Sequence, residues 1–325
     1  MSTGTPELLQ QELDSAEIVV EPGDAVARSP LQLFWRRLRR DKVAMTALGF
    51  IVALIFLAVF APLIVKLAGT PGPRVQSSEA LDVFGSPSGP SAEHPFGVDR
   101  IGRDIFSRTV YGSRVSLEVA LIATGIAVLI GVTVGLLSGF YRGWVDTLLS
   151  RLTDVVLAFP ILLLGLGLAA ACSGAKGCFG GLIQPGLPVV IMTIAIINWT
   201  YISRIVRGQV LSLREKEFVE AARSLGASDT RIILREVLPN LVAPLIVYSS
   251  LLIPANILLE AALSFLGVGV AAGTPSWGAM IAEATSLFPD AWWYMLFPGV
   301  ALLLTVLAFN LVGDGLQDAL DPRRQ

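Results

Sequence analysis

Six long apolar runs, separated by polar segments, organise the chain. They extend from Val43 to Val65, Ser116 to Phe140, Leu152 to Ala171, Leu187 to Ile205, Leu241 to Leu266 and Trp292 to Val312. A hydrocarbon core of roughly 30 Å takes about 20 residues at a rise of 1.5 Å each, and each run has about that length. Lipid offers no water to unpaired backbone groups, so each run is predicted as a membrane helix. The alternating segments of about ten residues that mark a membrane β-barrel are not visible. Pro160, Pro244 and Pro254 fall inside runs, where a packed bundle can re-satisfy the freed carbonyls. The expected fold class is an all-α polytopic membrane protein with six transmembrane helices.

Composition strengthens this picture. Of 325 residues, 54% are hydrophobic and 15% charged, against about 25% charged in a soluble domain. A formal charge of −2 with so much apolar content excludes intrinsic disorder. Two cysteines exclude a disulfide framework, and a single histidine excludes a multi-His metal site or a His relay.

Orientation follows from the basic residues. With the N-terminus in the cytoplasm, 17 of the 24 Lys and Arg lie inside and 7 outside. Both termini are therefore expected in the cytoplasm. The first 27 residues carry Glu7, Glu12, Asp14, Glu17, Glu21 and Asp24 and no basic residue, the opposite of a signal-peptide start. Beyond Ser29-Pro30, a helix start, the segment LQLFWRRLRRDK sets Leu31, Trp35 and Leu38 on one helical face, with Arg36, Arg37, Arg39 and Arg40 mostly elsewhere. Such a helix suits the anionic inner leaflet, and also serves as a positive-inside anchor.

The most informative polar stretch, between the fourth and fifth runs, reads VRGQVLSLREKEFVEAARSLGASDTRIILREVLP. Two short helices are predicted. The first puts Phe218, Ala222 and Leu225 on one face and ends at Gly226 in the left-handed region. Ser228 caps the second, Asp229 suits its positive end, and Ile232, Ile233 and Val237 form its apolar side. Helices this short are marginal in water, so their apolar stripe must be buried against the bundle or against a partner.

Glu220-Ala221-Ala222, three residues, Gly226, and then Leu238-Pro239 at the matching distance resemble the EAA loop of ABC importer permeases. Where that pattern prefers an aliphatic residue two positions before Leu-Pro, this chain has Glu236, a polar choice common among peptide-transporter members. The resemblance implies that the loop forms coupling helices docking on ATP-hydrolysing subunits. A second resemblance narrows the family. HPFGVDRIGRDIFSRTVYGSRVSLEVA (His94 to Ala120), FYRGWVDTLLSRLTDVVLAFP, ILLEAALSFLGVG and GDGLQDALDPR are similar to segments of the C-type permease subunits of dipeptide and oligopeptide importers.

These resemblances imply a MetI-like permease fold in the bacterial cytoplasmic (inner) membrane. The chain then divides into an acidic flexible cytoplasmic leader (1–28), an amphipathic interfacial helix (29–42), a first transmembrane helix (43–67) and an extracytoplasmic loop (68–115). A five-helix core (116–313), holding the coupling loop 206–239, and a cytoplasmic tail (314–325) complete it. The implied partners are a second, B-type permease subunit, two P-loop ATPase subunits, an extracytoplasmic peptide-binding protein and membrane lipid, without nucleic acid. No G-x-x-x-x-G-K-[ST] occurs, so this chain is expected to be non-catalytic and to bind no cofactor, ATP and Mg belonging to the partners.

Several residues carry two readings. Asp99, Arg103 and Asp104 offer either a docking surface for a solute-binding protein or an internal network that orders their loop. Glu260 and, one turn earlier, Asn256 sit in an apolar run and either line the pathway or bond neighbouring helices. Arg151, Asp154 and Asp314 read as interfacial caps or ion pairs. Gly131, Gly135 and Gly139 form a small-residue face for close helix approach, to the chain's own bundle or to a second subunit. Cys172 and Cys178 flank a short outside loop and can pair on an oxidising face. Two rivals remain: an ion- or proton-coupled secondary transporter with Glu260, Asp154 and Asp314 as relay, and an intramembrane aspartyl protease using Asp154 and Asp314. The protease lacks its G-x-G-D motif, since Leu311 holds the first glycine position.

Overall fold

The computed structural model describes residues 30–320 apart from 173, 175, 176 and 272. The acidic leader 1–28, with Ser29, and residues 321–325 of the tail lie outside the described residues. The helices are α1 (Pro30–Arg40), α2 (Lys42–Val59), α3 (Ala61–Leu67), α4 (Ile105–Tyr141), α5 (Gly143–Leu157), α6 (Ile161–Cys172), α7 (Leu187–Leu213), α8 (Glu217–Ser224), α9 (Asp229–Ile232), α10 (Leu238–Phe265), α11 (Trp277–Ala284) and α12 (Trp292–Leu320). A π-helical turn, Ile233–Val237, joins α9 to α10. No strand is present among the described residues, only isolated bridges.

Among the described residues, five helical stretches are long and apolar enough to cross a membrane: α2, α4, α7, the run Asp229–Phe265, and α12. The predicted third span is different. Its residues form α5 and α6, which meet at 88°. Pro160 stands at that break and not inside a helix, so the run from Leu152 to Ala171 is a bent pair and not one continuous helix, although the pair together is long and apolar enough for a sixth span. Proline lacks the N–H and restricts the residue before it, so the chain turns there. By contrast Pro244 and Pro254 do lie within α10.

Other boundaries also move. The first span ends at Val59, and Phe60 turns the chain into α3, so 43–67 is two helices. Helix α4 begins 11 residues before Ser116 and is about 55 Å long at 1.5 Å per residue, so it projects well past the hydrocarbon core. Helix α12 continues through Asp314 to Leu320, where a separate tail was expected.

The most extensive helix–helix packing in the bundle is between α4 and α7. A Cβ placed on Gly131, Gly135 or Gly139 would lie 2.6, 2.6 or 2.8 Å from the Cβ of Ile202, Val206 or Val210. The backbone carbonyls of Trp199, Ser203 and Arg207 are as close, at 2.7, 2.7 and 3.0 Å. The small-residue face therefore meets the chain's own bundle. Elsewhere Ala47, Ile51, Leu117, Ile257 and Phe309 bring α2, α4, α10 and α12 into one apolar core. In α1, Leu38 is buried against Ala44 and Ala319. Trp35 is instead exposed, under the Arg39 guanidinium at 5.0 Å, so these two residues do not share a buried face.

Candidate functional site

The loop after α7 folds as a helical hairpin rooted in the bundle. Helix α8 ends in a left-handed turn: Gly226 has φ +79°, its N–H bonds the Arg223 carbonyl, and the Ala227 N–H bonds the Ala222 carbonyl. This is the Schellman pattern, and glycine supplies the positive φ without a Cβ penalty. Ser228 occupies the cap position of α9, but its hydroxyl makes no cap bond, contrary to expectation.

The bundle covers a side of α8 other than the Phe218–Leu225 stripe, so of the two covers expected for that stripe the bundle is not the one used. Val219 is fully buried and Ala222 partly so, while Phe218 is exposed and Leu225 is 89% exposed. Val219 joins Ile232, Ile233, Val237 and Leu241 against Leu136 and Phe140 of α4 and Val206 and Val210 of α7. Glu220, Ala221 and Pro239 are exposed and Leu238 partly buried. A cavity of about 200 Å³ lies between Ala222, Gly226, Arg231 and Glu236, with Leu225 on its rim and Leu234 exposed nearby.

At the opposite end of the bundle, Asp99 and Arg103 belong to a largely buried polar network, and Asp104 makes a separate set of bonds beside it. Asp99 and Asp104 are both fully buried. The Arg103 Nε donates to Asp99 at 2.6 Å and its Nη2 to Glu283 at 2.9 Å. Arg108, 1% exposed, bonds Asp99, Glu283 at 2.9 Å and the Tyr294 hydroxyl at 2.8 Å. Asp104 caps α4 through the Ser107 N–H at 2.6 Å and contacts His94 Nδ1 at 2.8 Å. Burial opposes ionisation of Glu283, but the hydrogen bond and charge of Arg108, helped by Tyr294 and Arg103, prevail and hold its carboxyl below the usual range. The loop, α4, α11 and α12 are thereby tied together, and the two aspartates have no surface of their own. Arg108, Glu283 and Tyr294 were not singled out in the sequence, although Glu283 is the one acid in α11.

Asn256 and Glu260 are fully buried. Glu260 accepts hydrogen bonds from Ser116 at 3.0 Å and Ser264 at 2.7 Å. Asn256 accepts from Asn198 and donates to Thr124, both at 2.7 Å. These bonds hold α10 to α4 and α7. Asp154 is paired with Arg204 at 2.6 Å, and Asp314 is exposed on α12, so no hydrogen-bonded relay joins Glu260, Asp154 and Asp314. Cys172 and Cys178 are disulfide-bonded, with Cα atoms 4.7 Å apart. Among the described residues no cluster of His, Cys, Asp and Glu could hold a metal ion.

Residues 131–325 match the family described as binding-protein-dependent transport system inner membrane component, and residues 29–76 the N-terminal transmembrane domain of oligopeptide transport permease C. The chain is 41% identical over 300 residues to the dipeptide transport system permease protein of Alkalihalophilus pseudofirmus, covering 91% of each chain. It is 42% identical over 296 residues to the glutathione transport system permease protein of Escherichia coli O6:K15:H31, again covering 91% of each. Its fold is similar to an inward-facing structure of the MetNI methionine ABC transporter, with a TM-score of 0.56, 19% identity, and coverage of 67% of this chain and 98% of that one.

Proposed function

The chain belongs to the binding-protein-dependent transport system inner membrane component family and is a multi-pass permease subunit of an ABC importer; from that premise we propose that it carries short peptides and forms half of a shared pathway. The secondary-transporter and protease readings are set aside, since the family and the absent relay both speak against them. In the proposed assembly a B-type permease supplies the other half, and two P-loop ATPases hydrolyse Mg-ATP. An extracytoplasmic peptide-binding protein delivers cargo, and both termini of this chain lie in the cytoplasm.

The hairpin carries this reading. Its inner face is rooted by Val219, Ile232 and Val237, while Phe218, Leu225 and Leu234 stand exposed beside Glu220 and Ala221. Apolar side chains left outside on a short, well-capped helix need a cover, and an ATPase groove is the cover proposed. Glu220, Ala221, Ala222, Gly226, Leu238 and Pro239 form the coupling segment. Nucleotide-driven closure of the ATPases would move it, and the spans would alternate between outward- and inward-open states. At the other end, the network around Asp99, Arg103 and Asp104 is proposed to shape the surface that receives the binding protein.

The test is purification from native membranes in mild detergent, with mass spectrometry of whatever accompanies the chain. Two P-loop ATPases and a second permease are the expected companions. Purification of the chain alone, reproducibly across detergents, would overturn the assembly.

A further inference from the structure

A polar cavity of about 370 Å³ opens between α4, α5 and α7, towards the end of the bundle that carries the hairpin. That volume lies in the range of small-molecule sites, roughly 300–1,000 Å³. Ser138, Thr153, Ser203, Asp154, Arg204 and Arg207 line it, although the three helices are elsewhere largely apolar. Its two ion pairs differ. Arg207 donates to both oxygens of Asp146, at 2.6 and 2.8 Å, and Ser150 donates to the same carboxylate at 3.0 Å, so that pair is closed. Arg204 makes a single bond to Asp154 Oδ1, at 2.6 Å, and the two side chains are 56% and 47% exposed.

Among the described residues, no hydrogen-bond partner is found for the second oxygen of Asp154, the remaining N–H groups of Arg204 or the Ser203 hydroxyl. A solvent-facing pair of this kind adds little stability, about 0–1 kcal/mol. What it does offer is a positive and a negative charge, side by side, in a cavity lined with hydroxyls. Each arginine is matched by a carboxylate, so the cavity has no net charge and does not favour a simple anion.

We propose that Arg204 and Asp154 bind the two charged ends of a short zwitterionic peptide. Its α-carboxylate lies on the Arg204 fork and the Ser203 hydroxyl, and its α-ammonium on Asp154. Guanidinium and carboxylate have matching planar geometry, and the incoming zwitterion exchanges partner for partner without changing the net charge. The proposal rests on the peptide-cargo reading above and adds to it the groups of this chain that hold the cargo.

The test uses the full transport complex in proteoliposomes, with Ser203→Cys labelled by a water-soluble maleimide and read by peptide mapping. Dialanine is the probe, its uptake by the unmodified complex is followed in parallel, and N-acetyl-alanine amide is the uncharged control. Dialanine at about ten times its Kd should slow labelling roughly tenfold, as occupancy of the site dictates; the control should not, and Arg204→Gln should abolish the protection. Uptake of dialanine without protection overturns the site and leaves the cargo reading standing. Neither uptake nor protection removes the cargo reading and the site with it. Protection by inorganic phosphate but not by dialanine, or no labelling at all, also overturns the site. If Ser203→Cys fails to assemble, the KM for dialanine against its C-terminal amide decides. Arg204→Gln should erase the preference for the free carboxylate, and an unchanged preference overturns the proposal.

Discussion

The α4–α7 seam allows a sharp test, because its close contacts involve atoms that cannot rotate away. In Gly135→Ala the new Cβ would sit 2.6 Å from the Cβ of Val206 and 2.7 Å from the Ser203 carbonyl oxygen. Both positions are fixed by the α7 backbone, and non-bonded carbons settle at about 3.5–4.0 Å. The helices must therefore part by about 1 Å, which also loosens the contacts at Gly131 and Gly139 on the same seam. Overpacking of this kind costs about 1–3 kcal/mol. The control is Gly125→Ala on the same helix, where nothing lies within 4 Å of the added Cβ. Both variants gain the same helix propensity, about 1 kcal/mol, so that contribution cancels between them. Unfolding in mixed detergent–SDS micelles should place Gly135→Ala about 1–3 kcal/mol below Gly125→Ala, roughly 5- to 150-fold in the equilibrium constant. Equal midpoints would show that α4 and α7 do not pack through this glycine.

The hairpin turn predicts that Gly226→Trp inserts normally but uncouples ATP hydrolysis from uptake. Gly226→Asn, which tolerates positive φ better, should keep more of the coupling; full uptake by the tryptophan variant would count heavily against the coupling role. Thiol trapping with and without reductant should find Cys172 and Cys178 reactive only after reduction, and two free thiols in untreated protein would exclude the bond. Arg108→Met leaves Asp99 with Arg103 and two backbone N–H groups as partners and should cost about 1.5–3 kcal/mol, as losing a hydrogen bond between charged groups does. Because the folded Glu283 carboxyl is held low, its contribution is present above the ordinary carboxylate range and fades as the pH falls through the lowered value. Glu283→Gln should remove that acid limb from a stability–pH curve, and an unaltered limb would assign it to other groups.

The sequence made legible what repeats locally. Apolar runs marked the spans, and Gly226 marked a helix end that the structure realises as a Schellman turn. The spacing of Gly131, Gly135 and Gly139 announced a close approach, but its partner, 71 residues along the chain, has no local signature. Distance also hid the outer network: Arg108 meets Glu283 and Tyr294 across 175 and 186 residues. Pro160 was misread because an apolar run looks continuous whether or not the helix bends within it. Which side of α8 meets the bundle was not legible for a different reason. Phe218 and Leu225 are the larger apolar residues, so periodicity favoured them, yet the small Val219 is what fits against the bundle. In a helix that serves two partners, bulk on one side does not mark the buried side.

That arrangement bears on how force would travel. Val219 touches the same apolar cluster as Leu136, Phe140, Val206 and Val210, so a displaced α8 pushes directly on the ends of α4 and α7. It also acts on α10, since α9, the π turn and α10 form one continuous 37-residue helix. The π turn Ile233–Val237 is where that helix departs from regular α geometry, and such turns recur at functional sites. The opposite end lacks this freedom, because Arg103 and Arg108 tie the buried Asp99 of the outer loop to α4, to the half-exposed Glu283 of α11 and to the Tyr294 hydroxyl of α12. At the hairpin end the contact of α8 with the bundle is thus apolar and can slide, with half-exposed ion pairs such as Arg142–Glu215 and Arg204–Asp154 around it, while the outer end is held by ion pairs to the buried Asp99. Under the coupling reading, motion should be largest at the hairpin and smallest at the network. Hydrogen exchange in the assembled complex should accordingly change on nucleotide binding at residues 217–237 and remain slow at 99–108. Equal changes at both ends would contradict a rigid outer clamp.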